Sequence, residues 1–110
     1  MAYDPGLAEL MRDDLADVAS ISEKKMFGGI AFMLDGHMVC GVHQGGGMFR
    51  TGKETEADAL AIEGAGPMMF TSKRMGGFID VSDDALVDDD RRATWMAMAL
   101  AYARSLPPKA

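Results

Sequence analysis

Hydrophobic and polar positions divide this chain into segments of two different periods. Leu7, Leu10, Met11, Leu15 and Val18 recur at helical spacing, with Arg12, Asp13, Asp14 and Asp17 mostly on the other side. That pattern predicts an amphipathic helix over residues 5–19 with its apolar stripe toward a core. Asp4-Pro5 suits its start, because Asp caps free amides and Pro is tolerated in the first turn. From residue 22 to 42 the period falls to two. Residues 24–27 predict a short strand, broken at Gly28-Gly29. In the next strand Ile30, Phe32 and Leu34 share one face and Ala31 and Met33 the other. In the one after, Met38, Cys40 and Val42 oppose His37, Val39, Gly41 and His43. Only Asp35-Gly36 separates these two runs, a two-residue hairpin turn that requires positive φ at both positions.

Further on, Gly45-Gly46-Gly47 reads as a flexible turn and residues 48–50 as a short fourth strand. Thr51-x-x-Glu54 fits a capping box, which places a weakly apolar surface helix (Ala57, Leu60, Ala61) over residues 53–62. Residues 67–71 and 77–81 read as two strands around the loop 72–76, and residues 82–87 as a turn of helix. Asp88-Asp89-Asp90 puts negative charge where a helix N-terminus favours it. The last helix spans residues 89–105. Its stripe of Trp95, Met98, Ala99, Tyr102 and Leu106 is widened by Met96 and Leu100, and Pro107-Pro108 stops it. Strands joined by short connections pair antiparallel. The predicted architecture is α+β: a two-layer sandwich with an antiparallel meander sheet and helices packed on it. The order is a helix, three or four strands, a helix, two strands and a helix. No internal repeat, linker or low-complexity segment divides residues 1–110, so one domain is expected.

Composition changes this picture in three respects. Eleven methionines in 110 residues is a high share; Met fills irregular cores or lines adaptable surfaces, and core filling is the expectation. The net charge of −6 opposes autonomous DNA binding, which depends on neutralising phosphates, and suits a protein partner better. The single cysteine, Cys40, rules out an internal disulfide and fits a reducing compartment. With no apolar run of membrane-spanning length and no signal-peptide pattern, a cytoplasmic protein is expected.

Candidate chemistry is sparse. His37, Cys40 and His43 are the residues of a metal reading, but strand alternation sends Cys40 away from both histidines, so no metal site is expected. The neighbours Met38 and Val42 imply a buried Cys40 rather than an activated nucleophile. The glycine run lacks the Lys-Ser or Lys-Thr of a phosphate-binding loop, and Gly28-Gly29 precedes a strand rather than a helix. The acidic clusters lack calcium-loop spacing. No catalytic residue, cofactor or enzymatic activity is expected. The basic residues Lys24, Lys25, Arg50, Lys73 and Arg74, with Lys53, carry most of the positive charge between the terminal helices. They form a candidate interaction or anion patch if the fold gathers them at a rim of the sheet.

One resemblance covers essentially the whole chain. The run Glu23-Lys24-Lys25-Met26-Phe27-Gly28-Gly29-Ile30-Ala31-Phe32-Met33 resembles the signature of the TfoX/Sxy N-terminal domain family. Met1-Ala2-Tyr3-Asp4, Pro67-Met68-Met69-Phe70, Gly76-Gly77-Phe78-Ile79 and the tail from Ala101 to Lys109 are similar to it too. The resemblance implies a fold of the secretion-chaperone type. It also implies a regulatory role in competence for DNA uptake, with the cyclic-AMP receptor protein or RNA polymerase as partner. Family members often carry a second, C-terminal domain, so this chain is expected to be the first domain standing alone; a homodimer is one arrangement open to it. The competing reading is a small anion- or metabolite-binding protein, or a minor enzyme, that uses the Lys/Arg patch. A concave pocket holding Lys25 with Arg50 or Arg74 would favour that reading, and a flat apolar patch the regulatory one.

Overall fold

The computed structural model describes residues 4–26, 28–70 and 73–107. Phe27, Thr71, Ser72, the closing Pro108-Lys109-Ala110 and the opening Met1-Ala2-Tyr3 lie outside them, as do the side chains of Met26, Phe70, Arg74 and Met75. The elements in chain order are α1 (Pro5–Asp14), β1 (Ile21–Met26), β2 (Gly29–Leu34), β3 (His37–His43), β4 (Gly46–Arg50), α2 (Glu56–Leu60), β5 (Ala65–Phe70), β6 (Lys73–Ser82), α3 (Asp83–Leu86) and α4 (Asp89–Ser105). The six strands form one antiparallel sheet in the order β1-β2-β3-β4-β6-β5. This is the expected α+β sandwich, with one change to a simple meander: β6 lies between β4 and β5.

The Asp35-Gly36 turn has the positive φ values its type demands, 51° and 87°. Asp4 caps α1 by accepting from the Gly6 amide, and Asp88 caps α4 by accepting from Arg91. α4 spans the predicted residues. The glycine run, expected to be a loose turn, is largely strand. A Cβ on Gly46 would stand 2.2 Å from the Val81 carbonyl oxygen, and one on Gly47 2.7 Å from Leu86. Gly46 and Gly47 therefore let β4 approach β6 and α3 closely.

Other boundaries move for local reasons. α1 ends at Asp14, short of residue 19, and there the Asp14 carboxylate accepts from Arg92 of α4. α2 shrinks to Glu56–Leu60, and the Thr51/Glu54 capping box does not form. Thr51 is buried, and its amide is held at 2.9 Å by the Gly77 carbonyl. The Thr55 hydroxyl donates back to the Thr51 carbonyl. The segment expected to be the 72–76 loop is strand from Lys73 onward.

All four helices contribute to a single core against one face of the sheet. Leu7, Met11, Leu86, Trp95, Met96 and Ala99 pack on Phe32, Cys40, Val42, Phe49, Ile79 and Val81. Phe49 and Trp95 lie with ring centroids 5.9 Å apart, and the Trp95 indole donates to the Ala59 carbonyl at 3.1 Å. Among the described residues the opposite face carries no helix. Its row across the strands runs Lys24, Ala31, Gly41, Met48, Asp80, Gly66 by register. The expectation that methionine fills the core holds for Met11 and Met96, which are buried. Met33, Met38 and Met48 instead lie half-exposed.

Candidate functional site

The topology divides the predicted patch. Lys24 and Lys25 are exposed on β1, an edge of the sheet, paired with Ala31 and Ile30, so they point to opposite faces. Arg50 ends β4, three strands away, or about 14 Å at ordinary strand spacing. The register also puts it at the opposite rim, since Met26 pairs with Gly29, whereas Arg50 pairs with Phe78. Lys73 is exposed at the start of β6, and Arg74 pairs by register with Met69. The structure thus separates Lys24 and Lys25 from Arg50. Lysines on an edge strand also discourage pairing with another chain.

What joins Arg50 is Lys53. Both line a cleft of about 800 Å³ where β4 ends, walled by Phe78 of β6 and by Met98 and Tyr102 of α4. The Arg50 guanidinium carbon lies 5.6 Å from the Phe78 ring centroid and 5.2 Å from that of Tyr102, in range of cation–π attraction. The floor is tightly built. Gly77, at φ 85°, accepts from the amides of Thr51 and Gly52 and donates its own to Glu56 at 2.9 Å. Gly52, at φ 84°, sits flush on Tyr102: a Cβ there would lie 2.5 Å from the ring. The stem of Lys53 runs along Gly76, where a Cβ would meet its Cε at 3.2 Å. α4 faces the cleft with Ala97 and Ala101, one turn apart, and their small side chains leave the space open.

The strand alternation expected for the metal reading also changes. A bulge shifts the β2–β3 register between Phe32 and Met33, so Phe32 pairs with Cys40 and Leu34 with His37. Val39 is thereby left between paired residues, and the run His37–Cys40 no longer alternates simply. His37 binds the Pro107 carbonyl oxygen through Nε2 at 2.6 Å. His43 sits on the open side, with Nε2 2.6 Å from Asp80 Oδ1 and Nδ1 3.0 Å from the Gln44 carbonyl oxygen. Acceptors at both ring nitrogens, the Asp80 carboxylate first among them, raise its pKa despite partial burial. Cys40 is fully buried against Met96, and burial pushes its thiol pKa well up, which is the setting of an inert cysteine.

The periodic reading missed Arg92. It is buried, donates to Asp14 at 2.7 Å, to Asp89 at 2.9 Å and to the Leu86 carbonyl at 2.8 Å, and so ties α1, α3 and α4 together. Its only sequence signal is a cation in the first turn of a helix, where the macrodipole disfavours it.

The family model described as TfoX N-terminal domain matches residues 13–103, from the end of α1 to the last turns of α4. The chain belongs to the TfoX N-terminal domain family. No curated protein and no solved structure matches it. The matched span takes in the whole sheet, the bulge in β3 and all of the cleft lining but Ser105. Among the described residues of this family member, no helix is long and apolar enough to cross a membrane.

Proposed function

We propose that this TfoX N-terminal domain is a non-enzymatic, cytoplasmic regulatory module that docks on a protein of the transcription apparatus. By its family resemblance, the partner is the cyclic-AMP receptor protein or RNA polymerase and the process is competence for DNA uptake. The observation that supports this reading is the sheet face without helices. There Met33, Met38 and Met48 lie half-exposed around a flat floor of Ala31 and Gly41, with a Cβ on Gly41 only 3.1 Å from the Met48 methyl group. Methionine repacks readily against a partner surface. The net charge of −6 acts in the same direction: proteins that hold DNA present basic surfaces, which an acidic domain complements and naked phosphate does not.

The test is direct binding of the purified chain to purified cyclic-AMP receptor protein and to RNA polymerase. Binding to one of them is expected, weakened at least about tenfold by the double substitution Met33→Asp, Met38→Asp. Far-ultraviolet circular dichroism should show the variant folded. Failure to bind either protein, or binding indifferent to both substitutions, would sink this reading.

A further inference from the structure

The lining of the Arg50–Lys53 cleft includes none of the docking-face methionines Met33, Met38 and Met48, and its chemistry differs. Carboxylates outnumber cations in this chain, 17 to 11, and three arginines use them: Arg12 pairs with Glu9 and Glu23, Arg91 with Asp88, and Arg92 with Asp14 and Asp89, whereas Arg104 stands exposed on α4. Among the described residues neither Arg50 nor Lys53 has an ion-pair partner, although Glu54 lines the same cleft. The charged side chains of the lining are Arg50, Lys53 and Glu54, while the Glu56 carboxylate lies behind the floor and is engaged by the Gly77 amide. The Arg50 guanidinium rests on two rings rather than on an acid, and a planar fork of that kind pairs bidentately with a carboxylate. Most of the remaining wall is apolar, from Phe78, Met98, Ala101 and Tyr102, with Thr51, Thr55 and Ser105 completing it, and the space opened by Ala97 and Ala101 has the size of sites that take small organic molecules.

We propose that this cleft binds a small organic monocarboxylate. Its anionic end lies between Arg50 and Lys53, and its flat or aliphatic body lies against Phe78, Tyr102 and the alanine face of α4. Charge matching favours a monoanion, because a second negative charge would meet Glu54 without a third cation to offset it. The apolar wall favours a body larger than acetate. The ligand would bridge the β4–α2 junction, the irregular part of β6 and the C-terminal half of α4, three segments far apart in sequence.

The experiment is a titration of the ¹⁵N-labelled chain, read by amide shifts. The probes are benzoate and hexanoate, with benzamide as the neutral isostere of benzoate, benzylamine as a cation and acetate as an anion without a body. Benzoate or hexanoate should give saturable shifts at Lys53, Thr55, Gly76, Gly77 and Tyr102. Benzamide, benzylamine and acetate should bind at least about tenfold more weakly, the worth of one charge-assisted contact or one apolar body. Lys53→Ala and Arg50→Ala should each weaken benzoate at least about tenfold. Arg50→Lys keeps the charge and should fall between; it replaces Arg50→Ala if the alanine variant does not fold. The proposal fails if neither carboxylate gives saturable shifts at these amides. It also fails if benzamide binds as tightly as benzoate, or if Lys53→Ala leaves the affinity unchanged. None of these outcomes depends on the transcription partner, so the two readings stand or fall separately.

Discussion

Arg92, in the first turn of α4, and Arg50, which reaches from β4 to Tyr102 near the other end of α4, are treated in opposite ways. Arg92 is almost wholly enclosed and every arm is engaged: Asp14 from α1, Asp89 from its own helix and the Leu86 carbonyl from α3. Arg50 is half-buried, has no acid among the described residues and lies on the rings of Phe78 and Tyr102. Burying a charge is costly unless it is paired and fully hydrogen-bonded, so Arg92 is built as a fixed clasp. A cation left beside aromatic walls at the mouth of a cleft is stabilised enough to stay ordered and remains able to accept an anion. On the proposed binding at the cleft, the same side chain serves structure at one end and recognition at the other, and what separates the two roles is whether the fold supplies the acid.

Trp95 lies between the two regions, so removing it should disturb both. It is fully buried, packs on Phe49 beside Arg50, and is three residues along α4 from Arg92. Trp95→Ala should cost about 3–5 kcal/mol, the range of large-to-small changes in cores. A loss below about 1 kcal/mol in denaturant melts would show that the two ends do not share one core.

Arg92→Met comes next. It leaves Asp14 without its partner and the Leu86 carbonyl without a donor, while the methionine preserves much of the packed volume. The expected loss is about 2–3 kcal/mol, below the full cost of breaking a buried pair because Asp14 and Asp89 retain access to water. Urea denaturation measures it, and a change within about 0.5 kcal/mol would mean that the clasp is ornamental.

His43 provides a smaller test, on the open face. Its folded-state pKa is raised, chiefly by the Asp80 carboxylate. A raised pKa means that the stabilisation is complete below the unfolded-state value of about 6.5 and is lost as pH rises through the folded value. The stability advantage of wild type over His43→Gln should therefore be about 0.5–1 kcal/mol at pH 6 and shrink by pH 9. An advantage that grows with pH would show that the imidazole is neutral in the fold.

The sequence pattern revealed α4 with its cap, the hairpin at Asp35-Gly36 and the one-sided core, because each follows from local chemistry repeated at a fixed period. It did not reveal that β6 inserts between β4 and β5, since strand order is decided by tertiary packing. Lys24 and Lys25 stand away from Arg50 because β2 and β3 lie between β1 and β4. The Val39 bulge was hidden for a related reason: one extra residue in a strand leaves composition unchanged and resets every face beyond it. Lys53 was visible as a charge beside Arg50. Its convergence with Tyr102, Ala97 and Ala101 was not visible, because those residues lie some 45 positions away and meet it only through the fold. The half-exposed methionines show the same limit, since composition reports an unusual share of Met without saying which face holds it.

The smallest expected effect on stability tells most about the cleft. Lys53 lies on the surface with its stem along Gly76, pairs with no acid among the described residues and shares its cleft with Arg50. Two nearby cations repel each other weakly at a wet rim. Lys53→Ala removes that repulsion together with a few van der Waals contacts, so the two changes should nearly cancel. The melting midpoint should correspond to a change within about 0.5 kcal/mol, as for ordinary surface positions. Arg50→Ala should cost more, about 1 kcal/mol, because it also gives up contact with two rings. In the clasp, by contrast, any loss of charge destabilises. If Lys53→Ala destabilised by more than about 1 kcal/mol, Lys53 would be holding the β4–α2 junction closed. The cleft would then be a second clasp, and the contrast between the two ends of the molecule would disappear.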